Sequence, residues 1–230
     1  MTTPDFLMET PWDAVALDIP TYELKSVTED ALKGISGIPG HFTVKLDPLD
    51  SKELLHRYGF YYCDTLLEPY CTAERFQASS HDGVRVNWEV GIDEVLSICD
   101  GGFSHGRFHR DFQVAGALAD LRYNNWLKQL HNQRNTFGLE YEGTTAAFFA
   151  VSGAKVVLHA VSEKFRGKGL AKALWSAGYL ELYGKGHAEL SSSVSACNLA
   201  VVNLYASLGF RFRNPVDVYH RFNDGKKDMP

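Results

Sequence analysis

A short glycine-containing loop between an apolar stretch and a helical pattern constrains this chain most. The segment EKFRGKGLAKAL, residues 163–174, follows KVVLHAVS and opens a run with helical periodicity. Gly167 and Gly169 allow a bound group to approach the backbone closely, and Arg166 and Lys168 add positive charge. Free N–H groups and the helix dipole favour an anion at a helix start. The segment therefore predicts a strand–loop–helix unit that binds a phosphate group.

Two common phosphate-binding loops fit these residues poorly. The loop of nucleoside triphosphatases has Gly-Lys followed by Ser or Thr, whereas Leu170 follows Gly169 here. The dinucleotide-binding loop needs a small residue at its sixth position, which is Lys172 in this chain. Glu189 lies where a ribose-binding acid can fall, but too few residues follow it to complete a doubly wound sheet.

The third possibility is the pattern R/Q-x-x-G-x-G/A, which RGKGLA matches. A second strand and helix follow it and carry N-x-x-V-x-x-L-Y-x-x-L-G-F, residues 198–210. Loop, spacing and element order together resemble the GNAT (GCN5-related) N-acetyltransferases. The resemblance implies an α/β protein with the GNAT fold, in which helices flank a central mixed, twisted sheet.

The same resemblance implies that an acyl-CoA is the cosubstrate and that an acceptor amine attacks its thioester directly in a ternary complex. The pyrophosphate of CoA would lie on the loop, and its pantetheine arm would bond the backbone of the preceding strand. The residues expected to bind CoA are therefore Arg166, Gly167, Lys168, Gly169, Leu170 and Ala171 in the loop, His159, Ala160 and Val161 in the strand, and Asn198.

Two residues are expected to transfer protons. Tyr205 matches the family tyrosine that protonates the departing CoA thiolate, although a tyrosine on this helix can also be a core residue. Asn198 can bond pantetheine or cap the helix that starts beside it. Asp64 is the candidate for the base that takes the proton of the amine, and a surface role remains open for it. Other candidates for the base are Glu68, Asp111 and His159.

The sequence says less about the acceptor of the acyl group than about its donor. The length and layout of the chain resemble the bacterial dTDP-amino-sugar N-acyltransferases, which implies a nucleotide-linked amino sugar and an acetyl or 3-hydroxyacyl donor. Arg107 and Arg110 in SHGRFHRDF can contact its pyrophosphate, and no metal is expected, since His105 and His109 lack a third ligand. A protein or peptide amine, a polyamine or an aminoglycoside remains an alternative acceptor. A non-catalytic CoA-binding role also remains open.

The N-terminal third has the same plan as the C-terminal end. Residues 41–70 and 187–222 each give a strand, a helix and a Gly-Phe step into another strand. This internal similarity predicts a truncated GNAT-like domain on the acceptor side, residues 1–78, followed by a complete GNAT domain, residues 79–230.

Composition narrows the partners. The 230 residues carry a net charge of −5, which disfavours a nucleic-acid-binding surface. The 4 cysteines are irregularly spaced, as in a reduced cytosolic protein, and no apolar run is long enough to span a membrane. We therefore expect a cytoplasmic protein with small-molecule substrates, and the sequence leaves a homodimer open.

Overall fold

The computed structural model describes residues 3–224, and these form two compact units that interleave along the chain. Unit 1 consists of the residues up to 66, residues 105–122 and those from 215 onward. Unit 2 consists of residues 67–104 and 123–214. The predicted boundary at residue 78 treats each domain as one continuous stretch, so it differs from this division. An origin of the two halves by duplication stays a prediction.

Unit 1 contains a small mixed sheet with the order β1-β2-β3-β11. Strands β1 and β2 are antiparallel, β2 and β3 are parallel, and β11 is antiparallel to β3. Helices α1 to α3 lie between these strands in sequence. The bounds are β1 Leu7–Glu9, α1 Pro11–Leu17, β2 Thr21–Leu24, α2 Glu29–Ile35, β3 Gly40–Leu46 and α3 Glu53–Arg57, with β4 Tyr61–Thr72 beginning here and β11 Arg211–Asn223 ending here.

Unit 2 contains a larger sheet with the order β4-β9-β8-β7-β6-β5. Its neighbouring strands are antiparallel except for the parallel pair β8 and β9. The bounds are β5 Val84–Asn87, α4 Ile92–Cys99, α5 Gly116–Asn132 (which begins in unit 1), β6 Thr136–Tyr141, β7 Thr144–Ser152, β8 Lys155–Val161, a 3₁₀ turn Glu163–Phe165, α6 Ala171–Gly184, β9 Glu189–Ser192, β10 Val194–Ser195 and α7 Leu199–Ser207.

Each unit is completed by a strand segment from the distant part of the chain. In unit 1, residues 217–223 of β11 pair with β3. In unit 2, residues 70–72 of β4 pair with β9. Residues 211–223 form one continuous strand, although it contains an Asn-Pro step that commonly marks a turn, and Asn214 lies in the left-handed region (φ 49°). A single left-handed residue bends a strand without reversing it.

The sheet of unit 2 has an apolar core on both faces. The adjacent residues Phe148 and Phe149 are both fully buried and belong to different clusters, as expected for neighbours on a strand. Phe149 packs with Trp175 and Tyr179 of α6, whereas Phe148 packs in the cluster that includes residues of α4 and α5. A mixed sheet flanked by helices is thus confirmed. Among residues 3–224, no helix combines the length and the apolar character needed to cross a bilayer.

Candidate active site

The glycine loop has the backbone geometry that anion binding requires. After the 3₁₀ turn the chain is extended at Arg166, and Gly167 and Gly169 adopt φ of 73° and 75°. These angles favour glycine because a side chain would strain the backbone there. Leu170 then starts α6 with a helical conformation and no capping side chain.

The backbone N–H groups of the loop are available to a ligand. Within residues 3–224, the N–H groups of residues 167–170 donate no hydrogen bond to the protein. No acidic residue lies in the first turn of α6, so the positive end of the helix dipole is not offset there. Lys168 is exposed, with its ammonium 5.3 Å from the ring centre of Phe165. Arg166 is also exposed, but its Nε donates to the Val161 carbonyl at 3.0 Å, which closes the loop onto β8.

Strands β8 and β9 stop pairing before the glycine loop, and we call the point where they separate the β8–β9 fork. Their parallel pairing comprises Lys155 with Ser191 and Val156 with Ser192. Beyond that point β8 continues to Val161 along β7, with Phe148 opposite Ala160. Apart from the Val161 carbonyl, which accepts from Arg166, the edge of residues 159–161 that faces away from β7 is therefore open to an extended ligand, as the sequence prediction for the pantetheine arm requires.

Tyr205 lies at this fork with its hydroxyl fully buried. The Tyr205 Oη is 2.9 Å from His159 Nε2 on β8 and 2.9 Å from Tyr179 Oη on α6. Its ring packs edge-on against Phe210, with centroids 4.8 Å apart. Tyr205 is thus a core aromatic residue and also the centre of a hydrogen-bonded network that reaches β8.

Burial controls the protonation of both central groups of the network. Burial raises the pKa of Tyr205 to about 12, and the nearby donor groups of Ser192, Tyr179 and Trp175 oppose this increase. Burial lowers the pKa of His159 to about 4, so its imidazole is neutral at pH 7. His159 therefore carries no positive charge beside the Tyr205 hydroxyl, and the tautomer of its ring decides which of the two atoms donates.

Asn198 caps helix α7. Its side-chain oxygen accepts a hydrogen bond from the Val201 N–H at 3.3 Å. The structure therefore accounts for one of the two roles that the sequence left open, and pantetheine binding by Asn198 stays a prediction.

Asp64 and Arg110 contact each other in unit 1. The Asp64 carboxylate is fully buried, and its Oδ1 accepts a hydrogen bond from Arg110 Nη1 at 2.8 Å. The contact engages one Asp64 oxygen and part of the Arg110 guanidinium, and the roles of Asp64 as the base and of Arg110 at a pyrophosphate stay predictions. The Arg107 guanidinium lies over the ring of Phe108, 4.8 Å from its centre.

Two of the alternative candidates for the base, Glu68 and Asp111, also accept hydrogen bonds from other side chains. Glu68 accepts from Arg213 Nε at 2.7 Å. Asp111 accepts from His41, His220, Tyr61 and the backbone N–H of Gln113, at 2.7–2.9 Å. Burial opposes the charge of Asp111, but the hydrogen bonds from His220 and His41 prevail and hold the pKa of Asp111 below its usual range.

The cluster of His41, Asp111 and His220 also has the composition of a metal site. Its three ligand atoms lie within 4.8 Å of one another, and all three residues are buried. Both imidazoles are at hydrogen-bond distance from the same carboxylate oxygen, so a proton can occupy each of these two contacts, whereas His220 Nε2 has no hydrogen-bond partner among residues 3–224. A metal ion would have to displace those two protons.

Residues 111–221 match the sequence profile of the acetyltransferase (GNAT) domain family. This part of the chain, just under half of its length, is therefore similar to a GNAT acetyltransferase domain. The predicted fold class and enzyme class are thereby confirmed: this is a GNAT-type transferase that depends on acyl-CoA. The match begins within unit 1 and includes the glycine loop, the fork and Tyr205.

Solved structures share this GNAT fold at low sequence identity. A GCN5-related N-acetyltransferase from Sphaerobacter thermophilus has a TM-score of 0.62 and 12% identity over 94% of this chain and 75% of that one. A functionally unknown conserved protein from Staphylococcus epidermidis has a TM-score of 0.63 and 14% identity, over 97% and 93%. A tandem GNAT protein from the clavulanic acid biosynthesis pathway has a TM-score of 0.53 and 10% identity, over 89% and 75%. A comparison with curated protein sequences found no match.

The sequence analysis missed two side chains beside Tyr205. Trp175 and Tyr179 lie four residues apart on α6, so both face the sheet on one side of the helix. That spacing was visible in the sequence, but apolar core packing explains it equally well. The cluster around Asp111 was also missed, since its histidines lie 70 and 109 residues away in the chain.

Proposed function

We propose that this GNAT enzyme transfers an acetyl or short 3-hydroxyacyl group from CoA to the amino group of a dTDP-linked amino-dideoxy sugar. The observation that carries the transfer step is the junction of the glycine loop, the β8–β9 fork and Tyr205 within unit 2. The loop offers N–H groups to the pyrophosphate, the open edge of β8 receives the pantetheine amides, and Tyr205 protonates the thiolate.

Backbone at residues 159–161 supplies the groups that bind the acyl-CoA arm in this proposal. One N–H there polarises the thioester carbonyl and stabilises the oxyanion that forms when the amine attacks. His159 also contributes its side chain, because its neutral imidazole is the hydrogen-bond partner that orients the Tyr205 hydroxyl at the fork.

The nucleotide acceptor is supported by an aromatic surface on unit 1. Phe112 is 74% exposed, and its ring centre lies 4.3 Å from that of Tyr61. Tyr62 is 45% exposed and has the Arg110 guanidinium 5.6 Å from its ring centre. Exposed rings beside a guanidinium suit a planar base that carries phosphate groups.

A thiol-release assay tests this function with acetyl-CoA and 3-hydroxybutanoyl-CoA against dTDP-amino sugars, peptides, polyamines and aminoglycosides. We expect turnover with a dTDP-amino sugar and binding of one CoA per chain by calorimetry. Turnover confined to peptides or polyamines would mean that the acceptor is one of these amines and not a dTDP-amino sugar. CoA binding without any turnover would support a non-catalytic role.

The aromatic surface can be tested separately with Phe112→Ala. Because Phe112 is exposed, the variant should fold, and we expect about a tenfold higher KM for the nucleotide sugar from the lost stacking. The KM for acyl-CoA should stay unchanged. Phe222→Ala is the matched control, since that ring is also exposed (43%) and belongs to unit 1.

A further inference from the structure

The buried oxygen of Tyr205 is surrounded by hydrogen-bond donors. The Tyr179 hydroxyl lies 2.9 Å away, and the nearby donor groups of Ser192 and Trp175 also favour the ionised form of Tyr205. The Ser192 hydroxyl also donates to the Val156 carbonyl at 2.8 Å. Tyr179 and Trp175 are therefore the two donors on α6 that can turn to this oxygen.

Trp175 differs from these groups because its indole N–H is buried without an acceptor among the described residues. The side chain is 1% exposed, and its Nε1 has no hydrogen-bond partner in the part of the chain that the structure describes. An indole N–H can only donate, and leaving it buried without an acceptor is unfavourable. A negative charge on the Tyr205 oxygen would give this N–H an acceptor.

We propose that Trp175 and Tyr179 are positioning residues that stabilise the deprotonated Tyr205 oxygen while its proton is on the departing CoA sulfur. The inference rests on the proposed role of Tyr205 as general acid. It also explains how a fully buried tyrosine can release its proton, because the donors of Trp175 and Tyr179 replace the water that would otherwise solvate the tyrosinate.

In the transfer step, the amine attacks the thioester and Tyr205 protonates the sulfur that leaves. The amine nitrogen forms a bond to the thioester carbon, and the carbon–sulfur bond breaks with its electron pair moving to sulfur. The Tyr205 hydroxyl gives its proton to that thiolate, which leaves CoA–SH and a tyrosinate. The surplus proton on the new amide nitrogen then returns through solvent to the tyrosinate.

A double-mutant cycle tests the inference. Tyr179→Phe removes one oxygen without changing shape, and Trp175→Phe removes the indole N–H. We expect each to lower kcat about tenfold to a hundredfold, as for loss of one hydrogen bond to a charged group, with acyl-CoA affinity unchanged. In a Tyr205→Phe background neither change should reduce kcat further, because both residues act through Tyr205.

Matched controls are available on the same unit. Tyr183→Phe removes another α6 hydroxyl, which donates to the Cys71 carbonyl at 2.9 Å, and Trp88→Phe removes another indole N–H, which donates to Glu181 at 2.8 Å. Both should leave kcat within about twofold.

The results distinguish a failure of this inference from a failure of the general-acid role of Tyr205. If the losses from Tyr179→Phe persist in the Tyr205→Phe background, the two residues act independently and the inference is overturned. If Tyr205→Phe itself retains full kcat, the general-acid role fails instead. Should Trp175→Phe not fold, the isosteric Tyr179→Phe cycle decides alone.

Discussion

The two units contain the same local arrangement with different chemistry at its loop. In each, a strand leads through a loop into a helix, and the next strand pairs parallel with the first: β2, α2 and β3 in unit 1, and β8, α6 and β9 in unit 2. Residues 25–28 contain no glycine, and Thr28 caps α2 by accepting from the Ala31 N–H at 3.2 Å. The equivalent N–H groups of the loop before α6 have no such side-chain cap.

Charge reinforces this difference. The first turn of α2 carries Glu29 and Asp30, which occupy the positive end of that helix. These carboxylates would repel a pyrophosphate. The two loops therefore share their connectivity but differ in three features that favour an anion: the glycine conformations, the uncapped N–H groups and a first turn without acid.

The largest expected effect comes from cutting the chain between the predicted domains. Residues 79–230 lack β4, so β9 loses the partner that residues 70–72 provide, and Gln77 no longer donates to the Leu208 carbonyl. We expect this fragment to show no cooperative thermal transition and no CoA binding. A fragment of residues 61–230 retains β4 and should be the more ordered of the two by near-ultraviolet circular dichroism. Wild-type CoA affinity in the shorter fragment would contradict this prediction.

The next effect concerns two histidines, the partly buried His159 in unit 2 and an exposed one in unit 1. Burial lowers the pKa of His159 from 6.5 to about 4. The unfolded state therefore binds a proton that the folded state does not, so stability is complete above pH 6.5 and is lost as the pH falls toward 4. The shift corresponds to about 3 kcal/mol.

Urea denaturation at pH 7 and at pH 4.5 measures this dependence. His159→Gln should reduce the difference between the two pH values, whereas His56→Gln, on an exposed residue of α3, should leave it unchanged. Equal differences for the wild type and both variants would refute the prediction.

A smaller effect is expected from the loop itself. Gly169→Ala places a side chain at φ 75°, which costs about 1–2 kcal/mol and should weaken CoA affinity about tenfold, because binding requires this conformation. Gly153→Ala is the control, since Gly153 has φ 57° in the turn between β7 and β8 with open space around it. It should lower stability by a similar amount and leave CoA affinity intact. Calorimetric titration with CoA distinguishes the two outcomes.

The smallest effect tests the cap that distinguishes the loop of unit 1. Thr28→Ala removes the hydrogen bond to the Ala31 N–H and should lower the free energy of unfolding by about 1 kcal/mol. Because we assign no CoA site to this loop, the stoichiometry and affinity of CoA binding should not change. A second CoA bound by this variant would mean that the cap, and not the surrounding acid, excludes the ligand.

The glycine loop and the N-x-x-V-x-x-L-Y pattern were predictable because local geometry determines both. Gly167 and Gly169 adopt left-handed angles that few residues tolerate, and Asn198 and Tyr205 lie two helical turns apart. The fold class followed from these motifs and from the order of elements around them.

The partners of the polar side chains could not be predicted. Asp64 was expected to be a base, and its contact with Arg110 joins residues 46 positions apart with no periodic pattern. Likewise, nothing in the local sequence says that β11 pairs with β3, since strand propensity gives no partner over such a separation.

The pairing of β3 with β11 has a consequence for biosynthesis. Residues 40–46 are synthesised well before residues 217–223. During translation, the edge of β3 that pairs with β11 therefore stays unpaired until all the residues between them have been made. Such an edge favours aggregation, and a contact of this sequence separation slows folding. The N-terminal unit should consequently acquire its native sheet only after synthesis of the C-terminal strand, which makes chaperone dependence a property of its topology.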